Sequence, residues 1–501
     1  MKRFIKILSV ILAFVCAFSL VSCKKKKDKN IVELAVLLAG YGEIPYRKLA
    51  EAYMAKNPGI QVKLRFDPEI NSSVSNQIDS NNNLPEIYST RDLNQIKSFA
   101  ADGKILNLNE LLGTTFGAGY QESSKTVGSN YSQKAIETCS FDGNTYCLPE
   151  YTNVNGFVYN KSLFDKFDWE IPTTTKELKE LCEQIIEDTD GEVAPITHCG
   201  GDAGGYYYFA VDNWLTLYAG ISNMDKFYKY DDVEQYNPKS QISVGKKLAH
   251  ENLRVFFTDM KEGGYAKDGD IETKAEQAQK ALIMGEAAMM LNGSWFENEM
   301  SEVLGDVSKV MVADILKDVV EGPEDLKLGM FRIPDMVAPN GTNPIGQNNN
   351  PYHAQGYTTV DNKPVIEASY GAYYYIPAKA DNVELAVDFL KFLSSDEASV
   401  IYTTYTNAPR PVDYNLDVNS AQYANATVFG KSVIDIAHSC YVYVPYSNNP
   451  LAVDGKLSLY PRGDYWCKDV LNGEDIATML TADYTRVSSN WDKWQKEYGL
   501  A

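Results

Sequence analysis

The stretch from Ile31 to Phe66 constrains the fold more than any other part of the chain. Ile31 to Leu38 (IVELAVLL) is a nearly continuous apolar run, the pattern of a strand buried on both faces. Gly40-Tyr41-Gly42 interrupts it. Leu49, Ala50, Tyr53 and Met54 then recur at helical spacing, and Asn57-Pro58-Gly59 stops the helix. Ile60, Val62, Leu64 and Phe66 alternate as a second strand. A strand, a helix and a strand of these lengths make a βαβ unit, so the chain opens as an α/β domain.

The remainder keeps the mixture. A third strand is expected at Glu86 to Tyr88, and further strands at Tyr146 to Leu148, Gly156 to Tyr159 and Leu326 to Ile333. Thr174 to Glu177 is a capping box ahead of Leu178, Leu181, Cys182, Ile185 and Ile186 on one helical face. A helix rich in Ala and Met is expected from Lys274 to Leu291. Asp381 to Glu384 reads as a second capping box, with Leu385, Phe389, Phe392 and Leu393 lining its helix. Asp335 to Lys363, rich in Asn, Pro and Gly, reads as an insertion loop. The chain of 501 residues has room for two to four domains.

The first 22 residues are an address. Lys2, Arg3 and Lys6 precede an apolar run from Ile7 to Val21, too short to span a bilayer, which needs roughly 20 residues. Leu20-Val21-Ser22-Cys23 resembles the lipobox of bacterial lipoproteins, in which the cysteine is lipidated and becomes the first mature residue; Cys23 is the expected lipidation site. Residues 23–30 hold five Lys and, after the Cys, no apolar side chain, which suits a tether beside an anionic membrane. The globular part is expected to begin near Ile31, outside the cytoplasm.

Composition and motifs exclude several classes. With 47 Lys and Arg against 67 Asp and Glu, the formal charge of −20 repels phosphate backbones, and no nucleic-acid partner is expected. Gly430-Lys431-Ser432 ends like a phosphate loop, but Asn425 stands where that motif needs Gly, and Gly200 to Gly205 lacks dinucleotide spacing; both read as loops. Neither a G-x-S-x-G elbow nor an H-E-x-x-H motif occurs. The four His have no metal-ligand spacing, so no metal and no cofactor is expected. Cys139 and Cys147 flank Asp142-Gly143-Asn144, a hairpin signal. A three-residue loop would set them opposite each other for a disulfide; a one-residue slip would not.

A series of segments then carries a resemblance. Leu84-Pro85-Glu86-Ile87 followed by Phe99-Ala100-Ala101-Asp102-Gly103-Lys104-Ile105-Leu106, Phe141-Asp142-Gly143-Asn144-Thr145-Tyr146-Cys147-Leu148-Pro149, and Val158-Tyr159-Asn160-Lys161-Ser162-Leu163-Phe164 with Ile171-Pro172-Thr173-Thr174 come in order. Gly285 to Trp295 (GEAAMMLNGSW), Asn382 to Leu393 and Leu471-Asn472-Gly473-Glu474 follow. Read together, the chain resembles the extracellular solute-binding proteins of ABC importers, the group that includes maltose-binding protein. Cys147 departs from the family pattern, which has Gly there.

The resemblance implies a two-lobe α/β fold of the periplasmic-binding-protein type (type II, maltose-binding-protein-like) with three hinge crossings, near Pro149, Phe331 and Pro409-Arg410-Pro411. Lobe 1 would comprise residues 31–149 and 332–409, and lobe 2 residues 150–331 and 410–501. It implies a monomeric, lipid-anchored receptor, without catalysis, that closes on a carbohydrate and delivers it to the transmembrane subunits of an ABC permease. The membrane would be touched through the anchor only. Three rivals stand beside it: a receptor for a polyamine or peptide, a secreted carbohydrate hydrolase, and a sensory receptor without a permease.

Candidate ligand contacts follow from the same resemblance. Trp295 is expected at the cleft, where an indole stacks on a sugar's C–H face, with Asn292 and Ser294 beside it as hydrogen-bonding partners. Tyr41 follows the first strand and Arg91 the third. Tyr151, Asn153 and Asn155 lie just past the first crossing. Tyr206 to Tyr208 and Trp214 form an aromatic cluster that reads equally as a stacking wall or as core, with Tyr207 and Trp214 taken as candidates. Tyr373, Arg410, and Asp464 with Tyr465 in the late segment complete the set.

Overall fold

The computed structural model describes residues 28–500 apart from 118–119, 121–123, 203, 205, 306–311, 323, 338–358, 361–362, 417, 462 and 464–465. The leader, Cys23, Asp464, Tyr465 and most of the 335–363 loop therefore lie outside the described residues.

Strands β1 (Ile31–Leu37) and β2 (Gln61–Asp67) pair in parallel around the helix Ile44–Lys56, and β3 (Ile87–Thr90) pairs in parallel with β1 on its other side. The continuous apolar run of β1 has a direct cause. Val32, Leu34 and Val36 pack into a cluster with Tyr53, Phe389 and Leu390, while Ala35 and Leu37 pack into another with Val74, Ile78 and Phe99. Both faces of the strand are covered, so it is apolar but for the half-buried Glu33 near its start.

A short hairpin, β4 (Ser140–Phe141) and β5 (Asn144–Thr145), turns through Asp142 and Gly143 alone, both at positive φ. This two-residue turn pairs Ser140 with Thr145 and puts the Tyr146 N–H on the Cys139 carbonyl at 3.2 Å. Cys139 thus faces Tyr146, one residue short of Cys147. The disulfide that a three-residue loop would allow is not formed: Cys139 and Cys147 are free and buried, as are the other four described cysteines. Burial, with Cys147 alongside, pushes the Cys139 thiol well above its usual range.

Strand β6 (Leu148–Asn153) closes the first sheet, and the chain passes at Val154 into β7 (Asn155–Asn160) of a second sheet. Pro149 is inside β6. The second sheet adds β8 (Ala194–Thr197), β9 (Ala287–Gly293) and β10 (Leu328–Arg332) in the order β10-β7-β9-β8. Its two faces also bury separate clusters, one around Phe157, Met289 and Trp214, the other around Val158, Met290 and Phe429. Phe331 falls within β10. Strands β11 (Thr359–Val360) and β12 (Lys363–Glu367) form a small sheet whose third member is supplied later in the chain; Val365 packs into the second lobe's core. At Ala368 the chain returns to the first lobe as β13 (Ser369–Tyr375), antiparallel to both β3 and β6.

The third passage follows the helix Asp396–Thr406. The Pro409 carbonyl accepts from the Thr152 N–H at 2.9 Å, and the helix Val428–Ser439 then packs on β10, with Ser432 Oγ accepting from the Met330 N–H at 2.8 Å. Strand β14 (Tyr441–Tyr443) pairs in parallel with β12, and the helix Ile476–Glu497 closes the second lobe. The result is a two-lobe α/β fold in which the chain joins the lobes three times.

Three local expectations are corrected. The helix expected over Lys274 to Leu291 is a helix only from Ala275 to Met284; Gly285, at φ +80°, ends it, and Ala287–Gly293 is the fully buried strand β9. A buried apolar run carries no periodicity that separates helix from strand. The second capping box does not form: Asn382 Nδ2 donates instead to the carbonyls of Asp28 and Ile31, tying the lead-in to β1 to the helix Val383–Leu393. Gly430 to Ser432 is helical, not a loop.

Candidate functional site

A cavity of about 570 Å³ lies where the ends of β1, β3, β6, β9 and the start of β13 converge. Strand ends at a change of connectivity are where α/β folds leave room for a ligand, because loops there diverge from the sheet. The first lobe lends Leu37 to Tyr41, Asn71, Arg91, Tyr151 and Asn153, with Ser369, Tyr370 and Gly371 from the return strand. The second lends Tyr206, Phe209, Trp295 and Glu299.

The second-lobe wall is aromatic. Tyr206, at φ +62°, caps the helix Tyr207–Ala219 and stacks on Phe209 with centroids 5.2 Å apart. Both rings stand edge-on to Trp295 at 5.9 Å. The indole is admitted by two glycines: a Cβ on Gly293 would lie 2.1 Å from its ring, and one on Gly40, across the lobe boundary, 3.0 Å from its Cβ. Such an aromatic surface gains by covering apolar C–H faces, while the facing wall supplies the polar groups.

Tyr41 stands at the junction. Its hydroxyl and Ser294 Oγ are 2.7 Å apart, and its ring is edge-on to Tyr151 at 4.9 Å. Tyr151 in turn stacks on Tyr402. Burial and the neighbouring Tyr151 push the Tyr41 phenol far above its usual range, against the pull of Ser294 and Arg91. Burial likewise pushes Tyr151 up to about 12, with Arg91 opposing. Both therefore act as neutral hydroxyls near pH 7.

The remaining candidates separate by place. Trp295, Tyr41, Tyr151 and Arg91 line the cavity, as does Asn153. Ser294 is buried behind Tyr41. Asn155 and Asn292 are buried in β7 and β9 outside the lining; the Asn292 side-chain Oδ1 accepts from the Gly293 N–H at 2.8 Å. Tyr207 and Trp214 are core: Tyr207 meets His198 Nδ1 at 2.7 Å, and Trp214 Nε1 donates to the Pro334 carbonyl. Tyr206, just ahead of the helix, and Phe209, in its first turn, line the cavity, while Tyr207 between them does not. Tyr373 points into the first lobe's other core cluster. Arg410 is buried under the third passage, donating from Nη2 to the Leu393 carbonyl and lying over the Tyr402 ring at 5.1 Å, away from this cavity.

Phe209, Asn71 and Glu299 escaped the sequence reading. Phe209 is in the first turn of the helix that Tyr206 precedes, its N–H donating to the Tyr206 carbonyl at 3.0 Å, a relation that shows only once the helix start is known. Glu299 needs the one-turn helix Phe296–Glu299 to be recognised after Trp295. Asn71 carried no signal.

Solved structures similar to this chain share its architecture. The GacH receptor of Streptomyces glaucescens GLA.O, solved unliganded and with acarbose and an acarbose homolog, is 18% identical with a TM-score of 0.59, over 94% of this chain and 98% of that one. RafE from Streptococcus pneumoniae is 13% identical with a TM-score of 0.61, over 91% and 97%. Lmo0181 from Listeria monocytogenes, an ABC substrate-binding protein solved with cycloalternan, is 16% identical with a TM-score of 0.59, over 93% and 100%. The model of the bacterial extracellular solute-binding protein family matches residues 39–400. That span covers most of both lobes and the cavity between them, and the chain belongs to the bacterial extracellular solute-binding protein family.

Proposed function

We propose that this protein captures a small oligosaccharide between its lobes and hands it, unaltered, to an ABC permease, held to the outer face of the membrane through a lipid on Cys23. The observation that carries the reading is the wall of Tyr206, Phe209 and Trp295 facing Arg91, Asn71 and Asn153 across one cavity. A sugar ring has an apolar C–H face and a polar rim, and this arrangement offers one partner to each. The solved relatives hold acarbose and cycloalternan. A capture role suits the lining too: among its described residues Glu299 is the one carboxylate, whereas glycoside hydrolysis uses a pair. No helix among the described residues is long and apolar enough to cross a membrane, and a lipid on Cys23 supplies the attachment in this reading.

A cationic ligand such as a polyamine is less well served, since the cavity sets one Arg against one Glu and gathers no excess of acid. A thermal-shift screen over a glycan library, followed by calorimetry and chromatography of the recovered ligand, tests the reading. The expected result is saturable binding of a neutral oligosaccharide recovered intact. Binding confined to polyamines or peptides, or cleavage of the glycan, would overturn it.

A further inference from the structure

Glu299 enters the cavity in a way the aromatic wall does not require. Its backbone N–H donates to the Trp295 carbonyl at 3.0 Å, so the two side chains are one helical turn apart on the same face. The other carboxylate of that turn, Glu297, is spent elsewhere, accepting from Asn407 Nδ2 at 2.9 Å and Thr427 Oγ1 at 2.7 Å. Glu299 has a dedicated holder. Gln279 Nε2, on a side chain buried beneath the wall, donates to Glu299 Oε2 at 2.6 Å. A neutral amide fixes the carboxylate's direction without cancelling its charge. Across the cavity Arg91 is the facing cation.

We propose that Glu299, positioned by Gln279, is the specificity-determining acceptor of this cavity. It takes hydroxyl or amino donors from the rim of a sugar ring stacked on Trp295, and it rejects acidic sugars. The proposal rests on the carbohydrate reading above. A carboxylate only accepts, so a neutral ring rim satisfies it, whereas a uronate brought to the same place sets acceptor against acceptor and like charge against like. Arg91 donates to the opposite rim of the ligand and so fixes its orientation.

Four trisaccharides serve as calorimetric probes: maltotriose, raffinose, the glucosamine trimer chitotriose, and trigalacturonate, whose carboxylate on every ring leaves no neutral rim to turn towards Glu299. The wild-type protein should bind at least one of the first three and not the last. Glu299→Gln keeps the shape and the Gln279 contact, and should weaken the bound probe by about tenfold while raising trigalacturonate binding relative to it. Gln279→Met should move the same ratio in the same direction by a smaller amount, which loss of fold stability alone would not do. The proposal is overturned if Glu299→Gln leaves both the affinity and the ratio unchanged, or if the wild type prefers trigalacturonate. Binding of none of the four by the wild type would instead strike at the carbohydrate reading itself, and the role of Glu299 would fall with it.

Discussion

Tyr41 and Ser294 meet oxygen to oxygen at 2.7 Å, both buried, one on the loop after β1 and the other on the turn after β9. The contact joins the lobes beside the cavity, and Val154, where the chain first changes sheet, donates its N–H to the same Ser294 oxygen at 3.4 Å. Tyr41→Phe deletes the hydroxyl and keeps the ring on Tyr151. The expected loss is about 1 kcal/mol of unfolding free energy, read by urea denaturation, because one buried hydrogen bond goes and the Ser294 oxygen keeps a second partner. An unchanged midpoint would mean that the pair adds nothing to the junction.

Trp295→Ala should weaken ligand binding by about 2 kcal/mol, roughly thirtyfold, since a central buried aromatic carries the largest share of an interface. Tyr207→Phe should leave affinity unchanged, because Tyr207 reaches His198 and not the cavity. Calorimetry with the identified glycan separates the two variants.

How much of this was legible beforehand follows from what each residue type signals. The parallel β1–β2 unit was visible because a strand covered on both faces is nearly all apolar, and a capped amphipathic helix such as Thr175–Asp188 announces its own start. Strand β9 was misread as helix for the same reason that β1 was read well: complete burial removes the period. At the site, Tyr41 and Arg91 were found because they follow strands, and Trp295 and Tyr151 through the family resemblance; all four line the cavity. Tyr207 and Tyr373 were placed by clustering of tyrosines, and sequence neighbours do not share a face on either a helix or a strand. Cys139 and Cys147 turned on a one-residue difference in loop length that composition does not encode.

In the second lobe, Lys246 Nζ lies 3.0 Å from Asp483 Oδ2, with both side chains almost fully buried, and stands over the rings of Trp466 and Tyr460. This pair pins the helix Ile476–Glu497 to the helix Gln241–Phe257. Lys246→Met leaves a buried carboxylate without its cation and should cost about 3–5 kcal/mol. The double variant Lys246→Met with Asp483→Leu should cost clearly less than the sum of the single changes, which a double-mutant cycle by chemical denaturation measures.

Two buried carboxyls set a pH dependence. Asp212, which accepts from the Tyr460 hydroxyl at 2.5 Å and has Lys246 nearby, is raised to about 7, chiefly by burial. Glu367, bonded by the Thr216 hydroxyl with Tyr228 also near, is raised to about 8 by burial and by the Asp212 charge. Both hold their protons in the folded state at pH values where the unfolded chain has released them. Their contribution is complete below about pH 4 and declines as pH rises, levelling off above about pH 8. Unfolding free energy should therefore fall between those limits, and Asp212→Asn should flatten the fall. A stability that rose over the same window, with Asp212→Asn making no difference, would contradict this.

Gly293 offers the sharpest test of how the aromatic wall is built. It is fully buried in β9, opposite Asn155, and the Trp295 ring fills the space its missing side chain leaves. An added Cβ would stand 2.1, 2.3 and 2.6 Å from three ring carbons. Neither the strand, paired on both sides, nor the indole, wedged between Gly293 and Gly40, can yield without cost, and the ring is the part free to swing into the cavity. Gly293→Ala should accordingly reduce glycan affinity about as much as Trp295→Ala, roughly thirtyfold, through displacement of the ring rather than its removal. The indole moves towards water in this variant, so its fluorescence emission should shift to the red in the apo protein. Full affinity with unshifted emission would mean that the wall does not depend on the glycine beneath it.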